Sequence, residues 1–139
     1  MIKVENLSKY YGEVKAVKSI NFELNDGEVV GFLGANGAGK STTLKVMTGY
    51  LTATSGNVYV NDLEIQEDAL EIQKQIGYLP ELNPLYGEMR VYDLLEFTGK
   101  IRNITGKAFK NSLARVIKQC GLKGVIHRLV SECSKGYKQ

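Results

Sequence analysis

Residues 34–41 read Gly-Ala-Asn-Gly-Ala-Gly-Lys-Ser, and this short stretch carries the strongest signal in the chain. Its spacing fits the pattern GxxxxGK[ST], in which a glycine-rich loop is followed by lysine and a hydroxyl residue. Glycines let successive backbone N–H groups converge on phosphate oxygens in conformations that a side chain would forbid. The stretch therefore predicts a loop that binds the phosphates of a nucleoside triphosphate.

The chemistry of this Walker A loop assigns a role to each part. Lys40 is expected to reach the β- and γ-phosphates, and the hydroxyl of Ser41 is expected to ligate Mg²⁺. A helix predicted to begin near Lys40 directs its N-terminal dipole at the same anion. The candidate phosphate-binding residues are Gly34, Ala35, Asn36, Gly37, Ala38, Gly39, Lys40 and Ser41.

The residues around the loop predict an α/β fold. The continuous apolar run Val29–Leu33 precedes the loop and is typical of a strand buried on both faces of a parallel sheet. Before it, Ile20, Phe22 and Leu24 alternate with polar residues, as in a half-buried strand. A further short strand is predicted over residues 76–79. A buried strand, a phosphate loop and a helix in this order are what the motif requires.

After Pro84 the pattern changes to helices. Apolar residues at helical spacing predict one amphipathic helix over 91–101, a second over 109–120 and a third, shorter one over 125–129. The charge changes as well, because residues 1–89 carry 7 basic and 12 acidic side chains and residues 90–139 carry 11 basic and 3 acidic ones. We therefore expect a β-rich P-loop portion at 1–89 and a helical portion at 90–139.

Composition excludes several classes of protein. The net charge of +3 over 139 residues is too small to argue for nucleic acid by itself. No run approaches 18 apolar residues, and the N-terminus has no apolar segment of the secretory type. Cys120 and Cys133 form no metal-binding pattern, which favours two free thiols in a reducing cytosol.

Three further segments accompany the phosphate loop, namely Tyr10-Tyr11-Gly12, Leu79-Pro80-Glu81 and Cys133-Ser134-Lys135-Gly136-Tyr137. With these landmarks, the whole chain resembles the nucleotide-binding domain of ATP-binding cassette (ABC) transporters. The resemblance implies a P-loop NTPase with an N-terminal antiparallel β part, a RecA-like core and an α-helical subdomain, with ATP and Mg²⁺ as cofactors. The first landmark is Tyr10-Tyr11-Gly12, which matches the A-loop aromatic that stacks on adenine. We assign that role to Tyr11, with Tyr10 as the alternative. Thr42, after the Mg²⁺ ligand, is implied to touch phosphate.

The other two landmarks depart from the family pattern. At the Q-loop, where the family has a glutamine, this chain has Glu81 after Leu79-Pro80. A glutamate offers Mg²⁺ a charged oxygen and can act as a base, so Glu81 is both a metal and a catalytic candidate. The signature segment is Cys133–Tyr137, where Ser134 and Gly136 match and are implied to contact the γ-phosphate held by an opposite subunit. Both departures resemble the exporter branch that includes drug, sodium and gliding-motility ATPases.

Several elements of the family do not occur within these 139 residues. They are the Walker B strand, the glutamate beside it, the D-loop and the switch histidine, and the sequence stops at Gln139 directly after the signature. We therefore expect an incomplete domain without its C-terminal strands. We expect the isolated chain to hydrolyse ATP at background rate, because the usual water-orienting glutamate is missing. Val29–Leu33 is expected to be partly unprotected.

The leading functional hypothesis is the N-terminal portion of an ATP-binding transport subunit. Its expected partners are a membrane permease, contacted near residues 81–90, and a second ATP-binding subunit, with a location on the inner face of the cell membrane. The alternative is a non-hydrolysing nucleotide-binding or regulatory module. A GTPase lacks support because no Asn-Lys-x-Asp occurs, and no nucleic-acid partner is expected because the basic residues have no accompanying aromatic series.

Overall fold

The computed structural model describes residues 1–81 and 83–139, which form two compact units, Met1–Tyr78 and Leu79–Gln139. The sequence predicts subdomains at residues 1–89 and 90–139. Compact units and subdomains are defined differently, so this division stays a prediction. Among the described residues, no helix has both the length and the apolar character needed to cross a bilayer.

The first unit is built on a four-stranded antiparallel sheet of order β2-β1-β3-β4. Its elements are β1 (Ile2–Tyr11), β2 (Val14–Leu24), α1 (Lys40–Met47), β3 (Ser55–Val60), β4 (Leu63–Glu64) and α2 (Ala69–Gln75). Val4 on β1 lies opposite Phe22 on β2 and Val58 on β3. The alternation that predicted a half-buried strand at residues 20–24 is confirmed by β2.

Helices α1 and α2 contribute to the same core as the sheet. Leu7 and Ile72 are completely buried in it, at 0% exposure. The buried cluster consists of Val4, Leu7, Val46, Met47, Val58, Val60, Ile65 and Ile72. Since α1 contributes two of these residues, its packing fixes the position of the glycine-rich loop that leads into it.

The strand predicted ahead of the phosphate loop and the short strand predicted over residues 76–79 are not formed. Residues 29–33 and 76–79 lie outside every strand, and Val29 and Leu33 are 100% and 93% exposed. The prediction of a strand buried on both faces is therefore wrong for this structure, whereas the expectation that Val29–Leu33 is partly unprotected is confirmed. A parallel strand is stabilised by strands on its edges and helices on its faces, and its own apolar sequence does not supply them.

The second unit is helical. It contains α3 (Val91–Ile101), α4 (Gly106–Gln119), α5 (Lys135–Lys138) and two 3₁₀ turns at Leu122–Gly124 and Val130–Glu132. Its buried cluster is Leu122, Val125 and Cys133, packed against apolar residues of α3 and α4.

The short helix predicted over residues 125–129 is not formed, although the two longer helices are confirmed. The N–H of Tyr92 donates to the carbonyl of Ile126 at 2.9 Å, and the N–H of Val130 donates to the carbonyl of Met89 at 2.9 Å. Arg90 and Leu129 form an antiparallel bridge between the same two segments. Residues 126–130 therefore pair with residues 89–92, at the start of α3, and not with one another as a helix.

Candidate functional site

The glycine-rich loop lies against the edge of β2, and Gly39 makes this approach possible. Gly39 caps the N-terminus of α1 with φ of 85°, in the left-handed region. A Cβ atom at this position would lie 2.3 Å from the carbonyl oxygen of Ala16 on β2. Both the backbone conformation and the close contact therefore require glycine.

Lys40 spans the loop that precedes it. Its Nζ donates to the carbonyl oxygens of Gly34 and Ala35, both at 2.7 Å. The N–H of Ala38 donates to the carbonyl of Ala35 at 3.2 Å, which makes the loop a tight turn. Residues 34–38 are exposed, so a concentrated positive charge and a run of backbone N–H groups lie together at the surface. This is the donor set that a polyphosphate requires.

The first turn of α1 is held by two hydrogen bonds from Thr43 to the residue that caps the helix. Thr43 is 2% exposed, and both its N–H and its Oγ1 donate to the carbonyl of Gly39, at 2.8 and 3.0 Å. The preceding hydroxyl residues differ in burial, since Ser41 is exposed and Thr42 is partly buried. The Ser41 hydroxyl is thus accessible at the start of the helix, and an alcohol oxygen suits a hard cation such as Mg²⁺.

A cleft of about 330 Å³ lies beside the loop. It brings residues of β2 together with the loop, Phe32 and α1, and its lining is Lys15, Ala16, Val17, Lys18, Ile20, Phe32, Gly37, Ala38 and Thr43. The lysines of β2 are not among the residues predicted from sequence. These are Lys15 and Lys18. The sequence shows only that they belong to a strand that precedes the loop. Their place in the cleft follows from the packing of the loop on β2.

The two candidate adenine-stacking residues lie at the end of β1, in the same unit as the loop. Tyr11 pairs with Val14 of β2 and is 47% exposed, whereas Tyr10 is 36% exposed. Each ring has an ammonium group near it: Lys9 Nζ is 5.4 Å from the ring centroid of Tyr11, and Lys15 Nζ is 5.6 Å from that of Tyr10. Either ring is accessible enough for stacking, and Tyr11 is the more open.

The remaining candidates belong to the second unit. Glu81 is exposed, and Ser134 caps α5, where its Oγ accepts a hydrogen bond from the N–H of Tyr137 at 3.4 Å. The segment is held in place by Asn83, whose Nδ2 donates to the carbonyl of Lys138 at 3.2 Å. Gly136 lies in the first turn of α5, and no described side chain comes closer than 4.0 Å to the place of a Cβ there.

The family follows from comparison with known proteins. Residues 17–139 match the ABC transporter family, and the chain belongs to this family. It is 34% identical over 139 residues to the probable multidrug ABC transporter ATP-binding protein YbhF of Escherichia coli, covering 100% of this chain and 24% of that protein. It is 36% identical over 138 residues to the uncharacterized ABC transporter ATP-binding protein MJ1023 of Methanocaldococcus jannaschii, covering 99% and 48% respectively. The chain thus spans half or less of these relatives.

Solved structures establish the fold. The chain superimposes on a dimeric structure of MJ0796, a bacterial ABC transporter cassette, with a TM-score of 0.83 and 24% identity, covering 99% of this chain and 65% of that one. The fold is therefore the α/β P-loop fold of ABC cassettes. The resemblance drawn from the four sequence landmarks is confirmed at the level of family and fold.

Proposed function

We propose that this chain binds MgATP through the loop 34–41 and forms part of the ATP-binding subunit of an ABC transporter. The observation that carries the proposal is the placement of Lys40, whose ammonium lies over the exposed turn at the N-terminus of α1. Loop N–H groups, a helix dipole and a fixed cation all favour the same ligand, a bound polyphosphate.

Within this proposal each candidate residue has a task. The loop backbone and Lys40 hold the phosphates, Thr42 adds a hydroxyl, and Tyr11 stacks on adenine. Mg²⁺ would be held by the Ser41 hydroxyl together with phosphate oxygens, and it would neutralise charge on the phosphates. Glu81 is proposed as a further metal ligand or base, and Ser134 and Gly136 as contacts to the γ-phosphate of a second subunit's ATP.

The partners and the location are also proposals, supported by the names of the relatives. We propose pairing with a second ATP-binding subunit, since the cassette MJ0796 has been solved as a dimer. We propose peripheral attachment to the inner face of the cell membrane through a permease, with transport of the exporter type, since one relative is named a probable multidrug transporter protein.

We also propose that the 139 residues alone do not turn over ATP. They supply a phosphate site, but hydrolysis also needs an oriented water molecule. The usual water-orienting glutamate comes after the signature segment in the family, and no acidic residue follows Glu132 in these residues. The test is phosphate release from ATP with Mg²⁺ by the purified chain. Release at the rate of a protein-free blank is expected, and turnover that disappears in Lys40→Ala would contradict the proposal.

The binding proposal is tested by titrating ATP with Mg²⁺ into the chain and into two lysine variants. Lys40→Ala is expected to weaken binding by about tenfold or more, which corresponds to ~1.4 kcal/mol or more, because it removes the cation from the loop. Lys45→Ala is the matched control, since Lys45 lies on the same helix with its Nζ near the ring of Tyr50. Equal affinities for all three proteins would rule out the phosphate site.

A further inference from the structure

Lys9 contacts both the ring of Tyr11 and the segment that follows α1. Its Nζ lies 5.4 Å from the centroid of the Tyr11 ring and also donates to the carbonyl oxygen of Thr52 at 2.7 Å. An ammonium group that lies over an aromatic face is attracted to the ring quadrupole. The hydrogen bond to the backbone fixes the ammonium, and the ammonium in turn restrains the ring.

Thr52 is itself tied to the helix that carries the phosphate loop. The N–H groups of Tyr50 and Leu51 donate to the carbonyl of Lys45 in α1, at 2.8 and 3.0 Å. Two residues beyond Thr52, the Thr54 side chain accepts from the N–H of Tyr10 at 2.9 Å. The chain that leaves α1 is therefore fixed along the end of β1, which is where Tyr11 begins the turn into β2.

We propose that Lys9 is a positioning residue for nucleotide binding, holding the ring of Tyr11 as a stacking surface for the base. The proposal rests on the proposed function, because it takes Tyr11 as the adenine-binding residue. Lys9 covers one face of the ring, so the base stacks on the other face. A ring held in one orientation loses less side-chain entropy when the base binds.

The same geometry separates Tyr11 from Tyr10. Lys15 lies 5.6 Å from the ring of Tyr10, but its Nζ has no hydrogen bond to a backbone carbonyl among the bonds of the described residues. Lys9 has both contacts. The structure therefore favours Tyr11 over Tyr10 as the ring with a fixed orientation.

The test compares ATP with inorganic tripolyphosphate, which has no base, as ligands of the full chain. Lys9→Met removes the ammonium but keeps an unbranched side chain. It is expected to weaken ATP binding by about two- to fivefold, the range of an exposed cation–π contact. Tripolyphosphate binding is expected to be unchanged. Lys9→Arg is expected to restore ATP binding, because a guanidinium also stacks on an aromatic face.

Two controls make the result specific. Lys45→Met removes an equivalent cation–π pair, with Tyr50, and is expected to leave both ligands unaffected. In a Tyr11→Ala background, Lys9→Met is expected to have no further effect on ATP, because Lys9 acts through the ring. Melting temperatures of all variants show whether any loss reflects unfolding, and Lys9→Arg provides a folded variant if Lys9→Met is unstable.

The outcomes separate this inference from the proposed function. If Lys40→Ala and Tyr11→Ala weaken ATP binding but Lys9→Met does not, the role of Lys9 is overturned and the nucleotide site stands. If Lys9→Met weakens ATP and tripolyphosphate equally, Lys9 acts as a general positive charge and the positioning role is again overturned. If Lys40→Ala has no effect on either ligand, the proposed function itself fails.

Discussion

At the scale of single residues, the turn after β2 shows how local hydrogen bonds set an acid–base property. The backbone N–H of Asn25 donates to one carboxylate oxygen of Glu28 at 2.8 Å, and the Asn25 side-chain amide donates to the other at 3.2 Å. The backbone hydrogen bond is the larger cause and the side-chain hydrogen bond the smaller one, and together they hold the pKa of Glu28 below its usual value. Both bonds favour the charged carboxylate.

Glu28→Gln tests this turn through pH. Because the pKa of Glu28 is lowered in the folded state, its stabilisation is present above the unfolded value of 4.5 and is lost as the pH falls through the lower folded value. We expect Glu28→Gln to unfold at lower urea concentration than the parent chain at pH 7, with the difference shrinking in acid below pH 4.5. Glu13→Gln, in the turn between β1 and β2, is the charge-matched control. A difference that persists unchanged in acid would contradict the mechanism.

At the scale of elements, what the sequence predicts depends on where the stabilising partners lie. Helix α1 and the glycine loop were predictable because their determinants are local: glycine conformations, a 3.6-residue spacing and a dipole. The run Val29–Leu33 has the composition of a buried strand, yet it is exposed, because burial comes from neighbours that the run cannot encode. The contact of Lys9 with Thr52 joins residues 43 positions apart in the sequence. It could not be predicted, because it too depends on a partner that is distant in the sequence.

The pairing of β1 with β3 depends on the close approach of Gly56 on β3 to the backbone of β1. A Cβ on Gly56 would lie 2.2 Å from the carbonyl oxygen of Asn6, whereas a Cβ on Gly27 would meet nothing within 4 Å. Both glycines have φ of +79°, so Gly27→Ala is a control that shares the backbone strain. We expect Gly56→Ala to lower the free energy of unfolding by about 1–3 kcal/mol more than Gly27→Ala. Equal losses in chemical denaturation would show that the clash is relieved at no cost.

At the scale of the whole molecule, each compact unit has its own buried cluster. Leu7, at 0% exposure, lies in the core of the first unit, and Leu122, at 8%, lies in that of the second. We expect Leu7→Ala to cost about 2–5 kcal/mol locally and to speed amide exchange in β1 and β3. Leu122→Ala is expected to have a similar local cost and to speed amide exchange in α3 and α4. Exchange that accelerates equally in both units for either variant would mean that they unfold as one.

The exposed run Val29–Leu33 gives the last prediction. Its residues belong to no strand, and an exposed apolar segment without strand partners can pair with another chain. We therefore expect the 139-residue chain to self-associate, and the double variant Val29→Asp with Leu33→Asp to shift it toward monomer in size-exclusion chromatography. Leu70→Asp is the control, because Leu70 is 75% exposed but lies within the regular helix α2, whose backbone is hydrogen-bonded. If Leu70→Asp is equally effective, general surface hydrophobicity drives association. An effect of the double variant alone assigns the association to residues 29–33.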